Sequence, residues 1–178
     1  MKHIYLSIGL GVIIAATAAA QSPTGTTGTA AMAAASLKDA SGRAVGQARL
    51  QQTPHGVLLR LELKNATPGI HALHLHDVGT CDAPSFESAG GHFAPDRREH
   101  GFLDPKGPHA GDLPNIHVPS TTELEVEYLV RDVTLDAGPR SLFDGDGSAI
   151  VIHAGPDDYA SEPAGDAGHR LACGVIAR

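Results

Sequence analysis

The chain of 178 residues has no tryptophan, and aromatic residues make up only 4 % of it, against 21 glycines and 12 prolines. That balance disfavours a helix bundle and fits short strands joined by many turns. Positive charge is also scarce: 13 Lys and Arg stand against 20 Asp and Glu, a formal net charge of -7, with no basic run anywhere. Nucleic acid and anionic lipid are thereby excluded as electrostatic partners. There is no internal repeat and no glycine pattern of the nucleotide-binding kind, and without a Gly-x-Ser-x-Gly segment serine hydrolysis has no support. The length suits one domain with a sizeable core.

Long apolar runs are missing too, except at the start. MKHIYLSIGLGVIIAATAAA, residues 1–20, has a basic beginning, an apolar middle and a small-residue end, which reads as a signal peptide cleaved before Gln21. The run is too short, and too soon followed by the polar QSPTGTTGT, to be read as a membrane span, so the mature chain is expected to have none. Residues 21–30 read as a flexible leader and residues 31–178 as the folded domain. The expected location is periplasmic or secreted. Export changes the meaning of the only two cysteines, Cys81 and Cys173, which are expected to pair in an oxidising compartment. Closing so long a loop would stabilise the fold by roughly 4 to 5 kcal/mol on the chain-entropy view.

Strand signals fall at 31–38, 44–52, 56–64 and 70–76, separated by turn segments such as SGR, TPHG and NATPG, and return at 113–119, 122–136, 148–153 and 171–176. Eight or so strands with long inserts predict an all-β fold, a Greek-key β-sandwich or flattened barrel with long loops. Residues 77–111 show almost no apolar alternation. A loop of that length needs something to tie it down.

Six of the eleven histidines, His71, His74, His76, His92, His100 and His109, lie between residues 71 and 109. On a strand His74 and His76 share one face, while His71, Leu73 and Leu75 share the other. A His-x-His pair can clasp a metal ion while the leucines anchor the strand. His92, His100, His109 and Asp112 follow at spacings of 8, 9 and 3, three imidazoles and a carboxylate that suit a closed zinc site and would tie the loop. His153 ends the apolar strand SAIVIH and is placed to complete coordination around His74 and His76. His71 is expected in the core, and His55, His117 and His169 at the surface.

In this order, GIHALHLHDVGTC, SAGGHFAP, REHG, HAGDLPN, VIHAGPDDY and GDAGHRLACGVI resemble the signature segments of the copper,zinc superoxide dismutases, especially the exported bacterial kind, over roughly residues 30–178. The resemblance implies one copper and one zinc per subunit and disproportionation of superoxide to O2 and hydrogen peroxide, an antioxidant role outside the cytoplasm. It implies that His74, His76 and His153 bind copper alone, that His92 bridges the two metals as an imidazolate, and that His100, His109 and Asp112 complete the zinc site. By the same resemblance Asp157 hydrogen-bonds one histidine from each site, Cys81 and Cys173 form the intrasubunit disulfide, and Arg170 stands beside the copper to guide the anion, so that Arg170 and His92 are the catalytic pair.

The match departs at 154–169, which contains no lysine but does contain Asp157, Asp158, Glu162 and Asp166. Steering of superoxide then rests on Arg170 with Arg97 or Arg98 as the expected helpers. Ala164 stands where many relatives have a threonine, and His169 precedes Arg170. A non-catalytic copper or zinc carrier of the same fold, or a zinc-stapled interaction module, would need neither the bridge nor the anion guide. Monomer and homodimer are both compatible with the sequence.

Overall fold

Alternation decides the first sheet. In β1 (Met32–Asp39) and β3 (Gly56–Leu63) every second side chain is buried, and Ala33, Ala35 and Leu37 share the inner face with Val57, Leu59, Leu61 and Leu63. In β2 (Ala44–Thr53) the phase shifts at Val45, the extra residue opposite the Leu37/Lys38 step, after which Ala48 faces Leu61 and Leu50 faces Leu59. Fully burying a leucine contributes about 1.5–3 kcal/mol, so this inner face is the principal source of stability. The computed structural model describes residues 30–178 and Met1. The expected signal peptide and residues 21–29 of the expected leader lie outside the described residues.

The strands β4 (Gly69–His71), β5 (Leu73–His76), β6 (Ile116–Val118), β7 (Leu124–Val130), β8 (Ala149–His153) and β9 (Arg170–Val175) complete an antiparallel sheet in the order β5-β8-β9-β1-β2-β3-β7, with β4 and β6 as a separate ribbon. The sheet curls into a half-barrel, and the all-β Greek-key reading holds. One expected strand, 70–76, is divided. Ala72 exchanges backbone hydrogen bonds with His153 and Gly155, and the chain switches partner there, from β6 on one side to β8 on the other. Counted as one interrupted strand, β4 and β5 restore the expected eight. Of the expected strand 122–136 only residues 124–130 pair along β3, and the rest is connection.

Residues 77–111 form the expected long loop, with a single 3-10 turn at Glu87–Ala89. Its first part is fixed by the Cys81–Cys173 disulfide, which joins it to β9 across 92 residues of sequence. Phe86, Ala89, Ala149, Val151 and Cys173 form a small apolar cluster around that bond, with Cys81 packed against it. Replacing both cysteines by serine is expected to lower the unfolding free energy by about 2–5 kcal/mol. Denaturant midpoints of the two proteins at equal pH measure this, and coincident midpoints would mean that the cluster holds the loop unaided.

Candidate metal centre

The face of β5 opposite Leu73 and Leu75 carries His74 and His76, and β8 delivers His153 beside them. The loop returns at His92, which bridges to His76 in the backbone. One ring nitrogen from each of His74, His76, His92 and His153 lies within 4.8 Å of the others. These atoms are His74 Nδ1 and the Nε2 of His76, His92 and His153, and all four are buried without a hydrogen-bond partner among the described residues. A buried polar atom left unsatisfied costs about 1–3 kcal/mol, so four converging on one point call for a ligand. An ion with bonds of about 2.0–2.1 Å keeps its donors about 3–4 Å apart, which the group can supply.

The other nitrogen of each ring explains why these four are free. His76 Nδ1 lies 3.1 Å from the carbonyl of Gly90, and His153 Nδ1 lies 3.1 Å from that of Gly168. A carbonyl only accepts, so each Nδ1 carries the proton and each Nε2 keeps its lone pair. Gly90 and Gly168 both sit at φ 74°, a left-handed conformation that glycine adopts without a side-chain penalty and that turns their carbonyls toward the rings. His74 Nε2 donates to Asp157 Oδ2 at 2.9 Å, which frees Nδ1.

A second group adjoins the first. His92, His100, His109 and Asp112 each offer one donor within the same 4.8 Å limit. His92 Nδ1 is 2.8 Å from Asp112 Oδ1 and 3.4 Å from His109 Nδ1, and His100 Nδ1 is 3.2 Å from Asp112 Oδ2. Burial alone would raise the pKa of Asp112, but hydrogen bonds from His109, His92 and the Gly101 N–H carry it far below the carboxylate range. Three imidazoles and one permanently ionised carboxylate make a donor set suited to zinc. His92 belongs to both groups, with Nε2 in one and Nδ1 in the other.

Asp157 ties the groups together, because its other oxygen accepts from His100 Nε2 at 3.0 Å. Its pKa falls to about 2 as the hydrogen bonds from His74 and His100 outweigh the effect of burial. Burial, with the neighbouring rings and Arg170, holds His76 down at about 2 and His153 at about 3; His92 is held at about 4 by burial against the pull of Asp112. All three therefore present neutral rings at physiological pH.

A cavity of about 240 Å³ opens onto His76, His92 and His153, with Arg170, Glu162 and Ala164 in its wall. That volume is large enough for a small anion together with water. Arg170 starts β9, and its guanidinium donates to the carbonyls of Phe86 and Gly90, the latter at 2.6 Å. It is the only Lys or Arg lining this cavity among the described residues. The expected helpers Arg97 and Arg98 are not in the wall: Arg98 donates instead to the Gly107 carbonyl, 3.2 Å away across its own loop.

The structure therefore places His74, His76, His92 and His153 in one group and His92, His100, His109 and Asp112 in the next, with Asp157 between them and Arg170 in the cavity wall. His71 is buried between the carbonyls of Thr67 and His153, as a core histidine, and His55, His117 and His169 are exposed. The sequence reading missed the carbonyls of Gly90 and Gly168, the Glu162 carboxylate that accepts from the His100 N–H, and Asn115 and Tyr159, which hold Asp157. The doubled glycine before His92 and the Gly-His-Arg segment were the available signals for the first two.

A sequence profile described as "Copper/zinc superoxide dismutase (SODC)" matches residues 44–176. A protein of Aquifex aeolicus named superoxide dismutase [Cu-Zn] 1 is 50 % identical over 80 % of this chain and 85 % of its own. A superoxide dismutase [Cu-Zn] of Caulobacter vibrioides is 46 % identical over 81 % and 84 %. Among solved structures, a superoxide dismutase-like protein of Bacillus subtilis superposes with a TM-score of 0.77 at 36 % identity, covering 80 % of this chain and 96 % of that one.

Proposed function

The chain belongs to the copper/zinc superoxide dismutase family, and from that membership we propose how its residues divide the work. It is a superoxide dismutase that uses copper and zinc, turning two superoxide anions and two protons into O2 and hydrogen peroxide. In our reading His74, His76, His92 and His153 hold the copper, and His92, His100, His109 and Asp112 hold the zinc. The convergence of four buried, unpartnered imidazole nitrogens carries this assignment. Copper bound there supplies one-electron chemistry between Cu(II) and Cu(I), whereas zinc, being d10, supplies only charge and position.

The protein's own residues do the rest. Asp157, Gly90 and Gly168 fix the ring tautomers, so the donor atoms need no rearrangement when an ion arrives. His92 is the one ring with both nitrogens turned to metal groups, which requires an imidazolate when both are filled. Once free of its ion, Nε2 would be the nitrogen able to accept a proton and return it to the departing peroxide in the cavity, while Nδ1 would stay with the zinc group. Arg170, held by two carbonyls, keeps a fixed positive charge in the cavity wall where the substrate anion must stop.

Selective metal loss tests the assignment. Replacing His76 with alanine is expected to lose copper while zinc is retained, and replacing His109 with alanine to do the reverse. Metal analysis after loading and dialysis reads both, and a variant that loses the opposite ion refutes the division. Replacing Arg170 with isoleucine is expected to slow kcat/KM about tenfold at low salt. It also leaves only the field of a net negative chain, so the residual rate should rise with ionic strength, and a rate equal to wild type would take Arg170 out of the mechanism.

We infer further that the protein works outside the cytoplasm. The Cys81–Cys173 disulfide supports this, because such bonds persist in oxidising compartments, and residues 1–20 have the composition of a signal peptide. No helix among the described residues is long and apolar enough to cross a membrane.

A further inference from the structure

Asp157 is the carboxylate that joins His74, which belongs to the first group alone, to His100, which belongs to the second alone, and something must aim it. Asn115, three residues after Asp112, immediately precedes β6. Its side-chain Nδ2 donates to the Asp157 carbonyl at 2.9 Å, and its Oδ1 accepts from the Asp157 N–H at 2.8 Å. A planar amide that engages both backbone groups of one residue fixes that residue's position and rotation together. Tyr159 closes the circuit: its hydroxyl accepts from the Asn115 N–H at 2.8 Å and its own N–H donates to Asp157 Oδ1 at 2.6 Å. Its carbonyl accepts from Leu103 N–H at 2.9 Å, tying the same turn to the loop between His100 and His109. Tyr159 does this in the left-handed region, at φ 65°, where a bulky residue persists only if its surroundings over-determine it.

We propose that Asn115 is a positioning residue for zinc: it clasps the backbone of Asp157 so that the carboxylate presents His100, and with it the zinc donor set, in a bound-ready orientation. Both amide contacts run between the loop that holds zinc and the loop after β8, which contributes no donor to that ion. The zinc site is therefore preorganised by a segment outside itself. This inference rests on the reading of His92, His100, His109 and Asp112 as the zinc ligands.

The test is zinc affinity in the full, disulfide-bonded chain, measured by competition with a chelator, together with the visible absorption of Co(II) bound in place of zinc. Asn115→Leu keeps the approximate size and removes both contacts. Zinc binding is expected to weaken by several-fold and at most about 10–100-fold, the range found when the group that hydrogen-bonds a metal ligand, here Asp157, is itself lost, and the Co(II) bands are expected to move. Copper affinity should fall less, since His76 and His153 keep their carbonyl partners. Asn115→Asp, which retains the acceptor for the Asp157 N–H but not the donor, should lie between, and it decides the matter if the leucine variant fails to fold. In an Asp157→Ala background the Asn115→Leu change should have no further effect on zinc, because the carboxylate it acts through is gone. Wild-type zinc affinity in both Asn115 variants, or an equal loss with and without Asp157, overturns the proposal. A wild-type protein that binds no zinc would refute the ligand assignment beneath it, a different and separately visible result.

Discussion

Alanine in place of His153 is expected to reduce dismutation to background, a fall of more than about 1,000-fold, in a protein that remains folded and keeps its zinc. Loss of a group that merely hydrogen-bonds a ligand costs about 10–100-fold in metal affinity or activity, so loss of a donor itself must cost more. The backbone gives no reason for collapse. His153 ends β8, and its own N–H and carbonyl are held by the Ala72 carbonyl and by the His71 ring. What disappears is one of four converging nitrogens, a hydrogen bond to Gly168 and one wall of the cavity that also holds Arg170. None of the four residues that we assign to zinc, His92, His100, His109 and Asp112, is replaced. Activity per chain and copper and zinc content per chain, measured on the same preparation, check this, with circular dichroism to confirm the fold. A variant fully loaded with copper and still turning over at the wild-type rate would show that the four-imidazole group is not where the chemistry occurs. A copper carrier, by contrast, would lose affinity and no turnover.

Much of this was legible in the sequence because metal ligands are chemically scarce residue types, and their strand periodicity is simple. His74 and His76 had to share a face, Leu73 and Leu75 had to take the other, and the structure places them so. Spacing also signalled that residues 77–111 needed a tie, which the backbone bridges His76–His92 and His74–Asp112 provide. What escaped notice was carried by groups with no side-chain signature. The carbonyls of Gly90 and Gly168 select the histidine tautomers, and every residue has a carbonyl, so only the left-handed glycines hinted at them. Asn115 and Tyr159 look like ordinary loop residues until the chain brings position 115 against position 157. The division of residues 70–76 at Ala72 was hidden for a similar reason. A strand that changes partner keeps its alternation, and only the position of β6 and β8 shows where the change occurs. That Arg97 and Arg98 lie outside the cavity wall was hidden because charge can be counted along a sequence, but direction cannot.

Stripped of metal and acidified from pH 7, the protein is expected to lose on the order of 5 kcal/mol of stability between pH 6.5 and 4.5. The sign follows from three imidazoles. Burial, reinforced by neighbouring rings, lowers His76 from 6.5 to about 2 and His153 to about 3, and burial lowers His92 to about 4. In the unfolded chain each accepts a proton near pH 6.5, whereas in the folded chain none does until about pH 4 or below. Across that window the unfolded state binds more protons, so stability falls as pH falls, by up to about 1.4 kcal/mol per ring per pH unit. Mutual repulsion among the three rings makes their sum less than additive. The carboxylates act elsewhere on the scale. Asp157 and Asp112 are both shifted down, so what they contribute is intact above about pH 4 and is lost only as the pH falls through their folded values. Metal changes the outcome because protons must then displace an ion to reach the same nitrogens, and the loaded protein should keep its stability to lower pH. Denaturant titrations of both forms at pH 7, 5.5 and 4.5, with the disulfide intact, give the slopes directly. Equal stability of the metal-free protein at pH 7 and 4.5 would mean that these rings are not kept neutral by the fold. The burial that leaves their lone pairs open to an ion at neutral pH is the same burial that makes the empty site intolerant of acid.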